Sequence, residues 1–580
     1  MDWKHEYDRW LEYAENDPFL MSDIKKLDND AAREDAFYTE LEFGTAGLRG
    51  IIGAGTNRMN RFVVRRASRG LAEMILENCG EEGAKRGVAI AYDSRRRSDI
   101  FAMETALTLC ASGIKVYLYS TLHSVPQLSF TVRHLNCIAG VVITASHNPP
   151  EYNGYKVYWE DGGQCAPDRA NKILECIRRF DYFDIEPMEY SVALSSGLLE
   201  IIGAEIDEEY YKCTESLLIH PAVLKENGHL INAVYTPLHG SGRVPVTQIL
   251  KRIGVTNLHV VPEQAEPDGD FPTVKAPNPE DKNAFTLAKA LADKVGANLI
   301  FATDPDSDRL GVGVRKPDGE FLMLTGNQTG ALLTYYILSS LKSENRLPEN
   351  ALVVKSFVST TLADAICRDH GTAIRDVLTG FRFISEWIEH CARTGEFTFL
   401  FGFEESYGCL AGGFARDKDA VCASMLVCDA YAYYMKQGKT LYDVIEDIYA
   451  KYGYYLEKVK SYTLSGKAGM EKIAEAMRAL TMDPLMKIGT QPVLVYEDHN
   501  TCSRIDNASN TIESTGLPKA NALRYLLPDG AWVVVRPSGT EPKLKVYIGA
   551  VGKTEVESIS MLDELMLFMD NLLGHLLGIN

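Results

Sequence analysis

The feature that most constrains the fold is a strand–helix pattern that occurs three times along the chain. Each copy contains three short, mostly apolar runs rich in β-forming residues, and helical segments connect them. The predicted strands are 87–93, 114–120 and 138–145, then 231–236, 256–261 and 297–303, and finally 351–357, 372–377 and 397–402. Strands that are apolar on both faces and alternate with helices are typical of parallel sheets covered on both sides. The sequence therefore predicts an α/β protein built on three such sheets.

The last part of the chain reads differently and predicts a smaller α+β domain. Its predicted strands lie near 455–463, 492–496, 531–536 and 543–549, and an amphipathic helix ends the chain. At the other end, an N-terminal helix places apolar residues on one face, which indicates docking on the body of the protein. We expect four domains, with the boundaries 1–205, 206–327, 328–455 and 456–580.

Composition excludes several classes of function for this chain. Its formal net charge of −19 argues against a general binder of nucleic acid or of anionic membranes. No apolar stretch is long enough to span a bilayer, and the first residues lack the apolar core of a signal peptide. The twelve cysteines are scattered without a C-x-x-C pair, which suits a reducing cytosol. We therefore expect a cytoplasmic protein; the choice between monomer and dimer stays open.

Polar loops follow the last predicted strand of each copy. They read "SHNP" at 146–149, "DPDSDR" at 304–309 and "EESYG" at 404–408. In open α/β sheets, ligands bind beyond the carboxyl ends of the strands. We therefore expect these three loops to contribute to one binding site.

The second of these loops carries three aspartates, Asp304, Asp306 and Asp308, that alternate with other residues. Alternate side chains of an extended or turning loop point the same way, so three carboxylates can converge on one hard cation. An EF-hand is excluded, because its sixth and twelfth positions would be Arg309 and Arg315. Two other interpretations stay open here: a solvated acidic turn, and a phosphatase that uses Asp304 as its nucleophile.

A fourth loop, "RPSGTEPK" at 536–543, brings many hydrogen-bond donors together. Closely spaced cations, hydroxyls and a flexible backbone can surround a phosphate dianion, although a plain surface turn is the alternative. It is not a Walker loop, because the G-x-x-x-x-G-K-[ST] pattern is absent from the chain. In "GFEES", the carboxylates can accept hydrogen bonds from sugar hydroxyls, or they can simply favour a helix N-terminus.

Ser146 lies in the polar stretch "TASHNPPEYNGYK", whose loop carries Lys156. A serine hydrolase would place its histidine elsewhere in the sequence, whereas His147 is adjacent and its side chain diverges in an extended backbone. No G-x-S-x-G elbow is present. A serine, three aspartates, a cation and a separate phosphate-binding loop together indicate phosphoryl transfer.

The α-D-phosphohexomutases have four signature loops that this chain resembles in order and spacing: "TASHNP", "DPDSDR", "GFEES" and "RPSGTEPK". The resemblance covers essentially the whole chain. The segment "FGTAGLRG", the "NGYK" after the serine loop and the N-terminal helix are most similar to the phosphoglucomutase and phosphopentomutase members. The resemblance implies three αβα domains with mixed, mainly parallel sheets, and a smaller C-terminal domain, around a central cleft.

The resemblance also implies a role for each matching residue. Ser146 would carry the phosphoryl group, and Mg²⁺ would be bound by Asp304, Asp306, Asp308 and an oxygen of that phosphate. The implied substrate-binding residues are Arg309, Thr379, Glu404, Ser406, Lys418, Arg536, Ser538, Gly539, Thr540 and Lys543. The implied reaction interconverts glucose 1- and 6-phosphates through glucose 1,6-bisphosphate, which also serves as activator.

Arg49, His147 and Lys156 would line the transfer site, and Lys156 is the first candidate for moving the proton. Two departures from the family pattern affect these expectations. Pro305 and Ser307 replace the glycines that the metal loop often has, but the aspartate spacing is kept. The stretch "VLTGFRF" at 377–383 lacks the histidine of some bacterial members, which removes one candidate acid or base.

Four rivals to a glucose phosphate mutase stay open at this point. A phosphopentomutase or a phosphomannomutase would use the same chemistry on ribose, deoxyribose or mannose phosphates. An aspartyl-nucleophile phosphatase would use Asp304, and a non-catalytic sugar-phosphate sensor would bind without turnover.

Overall fold

All nine strands of the threefold pattern are present in the structure, a computed structural model that describes residues 2–15, 17–44, 47–464, 466–538 and 542–579. The chain divides into two compact units. Unit one comprises Met1–Thr325, Ser385–Gly395 and Ser406–Gly438, and unit two comprises Gly326–Ile384, Glu396–Glu405 and Lys439–Asn580. The predicted domain boundaries at 205, 327 and 455 stay predictions.

The first sheet has six strands with helices on both sides. Its strands are β1 (Leu48–Ile51), β2 (Val88–Tyr92), β3 (Val116–Tyr119), β4 (Ala139–Ile143), β5 (Tyr152–Trp159) and β6 (Leu199–Ile202). The helices of this part are α1 (Trp3–Ala14), α2 (Pro18–Ile24), α3 (Asp30–Phe37), α4 (Arg61–Arg86), α5 (Ser98–Ala111), α6 (Val125–His134), α7 (Pro167–Ile177), α8 (Tyr190–Ser195), α9 (Ala204–Glu215) and α10 (Pro221–Asn227). The strand order is β1-β5-β4-β2-β3-β6.

The inner strands of this sheet are parallel, since β2 pairs with both β3 and β4, and β3 pairs with β6. Strand β5 runs antiparallel between β4 and β1. The stretch that carries Lys156 was expected to be a loop, but the structure shows it as β5. Its residues are almost all buried, with three tyrosines, a valine and a tryptophan in the run, and such residues favour a strand.

The N-terminal helix α1 packs into the core of unit one, as predicted. Trp10 and Ala14 are buried, and the Trp10 ring meets the rings of Phe37 and Phe62 edge-on at 5.7 Å between centroids. The side chain of Asp2 caps the helix by accepting hydrogen bonds from backbone N–H groups of its first turn. Burial of large aromatic rings anchors this helix to the body of the unit.

The second sheet of unit one has five strands. They are β7 (Ala233–Thr236), β8 (Leu258–Val260), β9 (Leu299–Thr303), β10 (Leu310–Arg315) and β11 (Phe321–Leu324), with helices α11 (Arg243–Arg252), α12 (Pro262–Ala265) and α13 (Thr286–Val295). The order is β11-β10-β9-β7-β8. Strands β7, β8 and β9 are parallel, whereas β10 and β11 extend the sheet as an antiparallel hairpin. The polar loop 304–309 joins β9 to β10.

The third copy of the pattern contains β12 (Ala351–Ser356), β13 (Ala373–Val377), β14 (Thr398–Phe403) and β15 (Cys409–Ala411), with helices α14 (Gly326–Ser343), α15 (Leu362–His370), α16 (Phe381–Thr394), α17 (Ala420–Met435) and α18 (Leu441–Tyr452). Strand β12 pairs in parallel with β13 and with β14, and these three strands belong to unit two. Strand β15 and helix α17 belong to unit one.

The C-terminal part forms the predicted α+β arrangement within unit two. Its strands are β16 (Tyr454–Thr463), β17 (Lys487–Ile488), β18 (Gln491–Pro492), β19 (Val495–Asp498), β20 (Ser503–Asp506), β21 (Thr511–Ser514), β22 (Leu523–Leu526), β23 (Trp532–Pro537) and β24 (Lys543–Gly552), with helices α19 (Gly466–Met482) and α20 (Glu555–Leu577). Seven of these strands form an antiparallel sheet in the order β16-β24-β23-β22-β19-β20-β21. Apolar residues of α19 and α20 pack on this sheet and form its core.

None of the helices in the described part of the chain combines the length and the apolar character that a bilayer-spanning segment needs. All twelve cysteines lie in described residues, and the structure joins none of them in a disulfide.

Candidate active site

Ser146 lies three residues beyond the end of β4 and is buried in unit one. Its backbone is left-handed, with φ of +50°, which costs a residue other than glycine about 1–3 kcal/mol. The hydroxyl of Thr144 accepts a hydrogen bond from the Ser146 N–H at 2.8 Å. The Ser146 hydroxyl donates to Oδ2 of Asp304 at 2.7 Å. This turn therefore directs the serine hydroxyl onto the first aspartate of the 304–309 loop.

The three aspartates of that loop converge, as expected from their spacing. Asp304, Asp306 and Asp308 are buried, and one carboxylate oxygen from each lies within 4.8 Å of the others. Asp304 Oδ1 accepts the backbone N–H groups of Asp308 and Arg309, at 3.2 and 3.1 Å, which curls the loop around it. Ser307, with φ of +54°, takes the left-handed position in this turn.

The donor set of this cluster suits a hard divalent cation. Oδ1 of Asp306 and Oδ1 of Asp308 are buried and have no hydrogen-bond partner, although buried carboxylate oxygens are normally satisfied. Oxygen-only ligands of full negative charge are those that Mg²⁺ and Ca²⁺ prefer. A metal ion between these oxygens would satisfy both, so the residues present fit a bound cation.

The closeness of the three carboxylates shifts the pKa values of Asp304 and Asp306. Burial, and then the negative charges of Asp306 and Asp308, raise the pKa of Asp304 well above its usual value. For Asp306, burial also raises the pKa, but the Lys156 ammonium and a hydrogen bond with Asp304 outweigh it, and the net shift is downward. Like charges held close together in a dry site are costly unless a cation compensates them.

Two lysines compensate part of this charge. Lys156 Nζ, on β5, lies 2.8 Å from Asp306 Oδ2 and 3.8 Å from Asp308 Oδ2. Lys418 Nζ lies 3.2 Å from Asp308 Oδ2 and 2.9 Å from Asp417 Oδ1. The ammonium of Lys156 thus binds a carboxylate of the triad, and its predicted role in proton transfer stays a prediction.

Three further predicted site residues are Arg309, His147 and Arg49. The Arg309 guanidinium forms an ion pair with Glu280, and its Nε lies 3.9 Å from Asp308 Oδ1. Nδ1 of His147 lies 3.3 Å from the Ser146 hydroxyl. Burial, and then the positive charges of Arg309 and Arg49, lower the pKa of His147 well below its usual value. These effects favour the neutral imidazole of His147 over its charged form.

Arg49 reaches the serine loop from strand β1. Its Nη1 donates to Oδ1 of Asn148 at 3.0 Å. Because β1 pairs with β5, the register places Arg49 opposite Gly154, two residues before Lys156. The antiparallel edge of the first sheet thus supplies one cation, Arg49, to the serine loop and another, Lys156, to the 304–309 loop.

Sequence reasoning missed Asp93 and Thr144, which support the serine turn. The Thr144 hydroxyl donates to Asp93 Oδ2 at 2.6 Å and lies 3.2 Å from Asp306 Oδ2. Asp93 also accepts from Ser98 Oγ at 2.8 Å. A signal was present, because Asp93 ends an apolar strand and opens the polar run "DSRRRS", as the other loops do.

Sequence reasoning also missed Asp417, which positions Lys418. Asp417 is buried and accepts hydrogen bonds from the Tyr158 hydroxyl at 2.7 Å and from Gln164 Nε2 at 2.9 Å. The resemblance implies a substrate-binding role for Lys418, and in the structure this lysine is largely buried. Nothing in the alternating charges of "RDKD" at 416–419 indicates that Asp417 is buried, so only its tertiary contacts identify it.

In unit two, the loops after β13 and β14 meet. Oε1 of Glu404 accepts the backbone N–H of Gly380 at 2.7 Å, which brings the Glu404 loop against the residue that follows Thr379. The neighbouring Glu405 accepts from Ser356 Oγ at 2.8 Å. Ser406, the next residue, belongs to unit one.

The phosphate-loop residues of unit two lie where β23 meets β24. Arg536 Nη1 lies 3.5 Å from the Tyr547 hydroxyl, and the Ser538 N–H donates to the carbonyl of Lys543 at 2.7 Å. Burial, and then the charges of Glu405 and Glu404, raise the pKa of Tyr547, whereas Arg536 opposes the shift. The two remaining predicted residues of this loop, Gly539 and Thr540, lie outside the described residues.

Models of known families match this chain in four successive segments. They are described as phosphoglucomutase/phosphomannomutase alpha/beta/alpha domain I at residues 40–182, domain II at 209–319, domain III at 325–452, and the C-terminal domain at 470–561.

Curated relatives with the name phosphoglucomutase align over nearly the full length. The one from Staphylococcus saprophyticus is 37% identical over 551 residues, which is 95% of this chain and 96% of the relative. The one from Staphylococcus haemolyticus is 36% identical over 549 residues, with 93% and 95% covered. The one from Staphylococcus aureus strain MRSA252 is 34% identical over 542 residues, with 93% and 94% covered.

Solved structures share the fold at lower identity. The open form of pp63/parafusin, a phosphoglucomutase from Paramecium, has a TM-score of 0.71 at 17% identity, and covers 93% of this chain and 96% of that one. A putative phosphomannomutase from Thermus thermophilus has a TM-score of 0.66 at 22% identity, with 92% and 99% covered. The family models and the curated relatives therefore show that this chain is an enzyme of the phosphoglucomutase/phosphomannomutase family.

Proposed function

We propose that this enzyme interconverts α-D-glucose 1-phosphate and glucose 6-phosphate by way of a phosphoserine at Ser146 and a glucose 1,6-bisphosphate intermediate. The observation that carries the proposal is the 2.7 Å hydrogen bond from the Ser146 hydroxyl to Asp304 Oδ2. This contact supports the proposal because it holds the Ser146 oxygen against the carboxylate cluster that fits a cation. The curated relatives named phosphoglucomutase support glucose as the sugar.

In the proposed reaction, a sugar hydroxyl attacks the phosphorus of phosphoserine, and the bond between phosphorus and the Ser146 oxygen breaks. In this step the attacking sugar hydroxyl loses its proton and the Ser146 oxygen takes one up. The sugar then carries two phosphates and turns over. The Ser146 hydroxyl next loses its proton and attacks the phosphorus of the other phosphate, whose bond to its sugar oxygen breaks, and that sugar oxygen takes up a proton. The Ser146 turn presents its oxygen to both steps in the same orientation. His147 lies beside the serine, and Arg309 and Arg49 are close enough to His147 to lower its pKa. In the proposed reaction these two arginines neutralise charge on the transferring group.

Asp304, Asp306 and Asp308, with an oxygen of the Ser146 phosphate, are the proposed ligands of Mg²⁺. The bound ion would offset the negative charge that develops on the transferring phosphoryl group. Lys156 and Lys418 hold the outer oxygens of Asp306 and Asp308, and so keep the carboxylates in place. Glucose 1,6-bisphosphate is the proposed activator, because it can phosphorylate a serine that has lost its phosphate.

The proposal assigns the remaining predicted residues to the sugar and to its distal phosphate. Thr379, Glu404 and Ser406 would contact the sugar, and Lys418 would contribute to holding the distal phosphate. The proposed binding site for the distal phosphate consists of Arg536, Ser538, Gly539, Thr540 and Lys543. The four domain boundaries given above, and a cytoplasmic location suggested by the twelve cysteines, none of them in a disulfide, are part of the same proposal.

The test of the proposed function is a comparison of kcat/KM on three substrates. We expect the value for glucose 1-phosphate to exceed those for mannose 1-phosphate and ribose 1-phosphate by at least about tenfold, because hydrogen bonds to sugar hydroxyls discriminate strongly when one is lost or misplaced. A preference for the ribose or mannose compound would instead identify a phosphopentomutase or a phosphomannomutase.

Replacement of Lys156 by methionine gives a second prediction. We expect kcat to fall by about 10²- to 10³-fold, because a buried cation is lost beside the transferring group. We expect the affinity for Mg²⁺ to rise, because the ammonium no longer neutralises Asp306, which it contacts at 2.8 Å. Steady-state kinetics and titration calorimetry measure the two effects.

The matched control is Lys115→Met, since Lys115 pairs with Glu200 and is bonded to the carbonyl of Gly197 at the far edge of the first sheet. We expect it to change neither quantity. Weaker Mg²⁺ binding by the Lys156 variant would contradict the proposed charge balance.

A further inference from the structure

Arg95 is a buried cation that has no role in the reaction described above. It lies in the turn between β2 and α5, and its side chain is fully enclosed, with 0% of it exposed. Its Nη1 donates to the carbonyls of Pro149 and Tyr152, at 2.9 and 3.0 Å. Its Nη2 donates to the carbonyls of Ser146 and Asn148. One guanidinium thus binds four main-chain oxygens of the loop that carries the reactive serine.

Arg95 is itself held on two sides. Its Nε lies 3.4 Å from Asp93 Oδ2, and its backbone N–H donates to Asp93 Oδ1 at 2.9 Å. Its guanidinium carbon lies 5.0 Å from the centroid of the Phe271 ring, at a distance typical of a cation–π contact. The side chain therefore has little freedom to move away from the loop.

The segment around Phe271 approaches the Arg95 turn very closely. A Cβ added to Gly269 would lie 2.5 Å from the Arg96 nitrogen and 2.9 Å from the Arg95 carbonyl carbon. The backbone of the Gly269 segment thus packs on the Arg95 turn, and Asp93 pairs with the Arg95 side chain. These two contacts fix the position of the guanidinium.

The contacts of Arg95 explain how the serine loop keeps its unusual backbone. Ser146 has a left-handed backbone, and its buried carbonyl, which needs a hydrogen-bond donor, accepts from Arg95. A guanidinium presents five N–H groups in a rigid plane, and a lysine ammonium cannot satisfy four spread carbonyls in the same way. Removal of this plane would let the loop relax and move the serine oxygen away from Asp304.

We propose that Arg95 is a positioning residue for phosphoryl transfer, which acts by holding the 146–152 loop so that the Ser146 oxygen faces the carboxylate triad. It acts through main-chain carbonyls and touches neither substrate nor metal. The inference rests on the proposed function, because it assigns Arg95 to the orientation of the proposed phosphoserine.

The test compares Arg95→Met and Arg95→Lys with the control Arg96→Met. Arg96 is the next residue, its side chain is 54% exposed, and its guanidinium pairs with Asp270 on the surface. For each protein we would measure kcat and KM for glucose 1-phosphate. A single-turnover experiment would give the rate at which glucose 1,6-bisphosphate phosphorylates the dephosphorylated enzyme at Ser146.

We expect Arg95→Met to lower kcat and the single-turnover rate by about 10²-fold or more, with KM changed by less than about threefold, because a small displacement of a reacting atom has an effect of this size. We expect Arg95→Lys to recover no more than about a tenth of the lost rate, and Arg96→Met to match the wild type. If Arg95 served only the stability of the fold, its replacement would lower the fraction of folded enzyme. The enzyme that did fold would then keep its kcat as well as its KM.

Thermal unfolding shows whether each variant is folded. If Arg95→Met does not fold, the rates of Arg95→Lys test the proposal instead, because this variant keeps the buried positive charge. Wild-type rates in a folded Arg95→Met, or in Arg95→Lys, would overturn the positioning role. Absence of phosphoserine and of mutase activity in the wild type would instead overturn the proposed function, so the two failures are distinguishable.

Discussion

Alanine in place of Ser146 is expected to lower kcat for the interconversion of glucose 1- and 6-phosphates by at least about 10⁴-fold, the scale on which loss of a nucleophile acts. The physical reason is that the serine hydroxyl is the oxygen placed on the carboxylate triad, at 2.7 Å from Asp304 Oδ2. Without it, the phosphoryl group has no acceptor on the enzyme between the two transfers. The expected measurement is a coupled assay together with intact mass and phosphosite mapping.

The matched control is Ser94→Ala, which removes a hydroxyl with no hydrogen-bond partner from the turn after β2. We expect it to keep wild-type activity and phosphorylation at Ser146. A covalent phosphate on Asp304 that is lost in acid would identify the aspartyl-nucleophile phosphatase instead. Sugar-phosphate binding without turnover by the wild type would identify a sensor.

Asparagine in place of Asp306 is expected to raise the dissociation constant for Mg²⁺ by at least about 10²-fold, and to lower kcat at ordinary Mg²⁺ concentrations by a similar factor. The variant removes one of three converging charges and leaves the Lys156 ammonium, at 2.8 Å, without its carboxylate. Because Mg²⁺ prefers charged oxygen ligands, an amide is a poor substitute. Titration calorimetry measures the affinity, and removal of Mg²⁺ from the wild type with a chelator should reproduce the loss of activity.

Asp293→Asn is the control for this experiment, since Asp293 is an exposed residue of α13 that pairs with Arg315 at 2.9 Å. We expect its Mg²⁺ affinity and activity to equal those of the wild type. Wild-type Mg²⁺ affinity in Asp306→Asn would exclude the triad as the metal site. Full activity of the wild type after exhaustive chelation would exclude a required divalent ion.

The threefold pattern was predictable because its strands are buried on both faces. Strands such as β4, with the sequence AGVVI and every residue buried, leave a continuous apolar run that has few alternatives. The C-terminal strands β20 and β21 were not predicted, because their residues are partly or fully exposed and largely polar. Hydrogen bonds to the neighbouring strand stabilise a short exposed strand, and its own sequence therefore does not indicate that it forms a strand.

The convergence of Asp304, Asp306 and Asp308 was predictable from spacing alone, because the three residues lie in one short loop. The cations that surround them were only partly predictable. Lys156 was expected in a loop, but it lies on β5, and its partner Asp306 is 150 residues away in the sequence. Nothing local in "NGYK" indicates which carboxylate this lysine contacts.

Apolar periodicity and short motifs are local properties, so the fold class and the candidate residues of each loop could be predicted from the sequence. Which groups meet is visible only in the folded chain: Ser146 with Asp304, Thr144 with Asp93, and Arg309 with Glu280. The tertiary structure also decided that Arg95 binds the carbonyls of the serine loop. The physical reason is that such contacts depend on how distant strand ends are brought together, and this follows from strand order and packing of the whole unit.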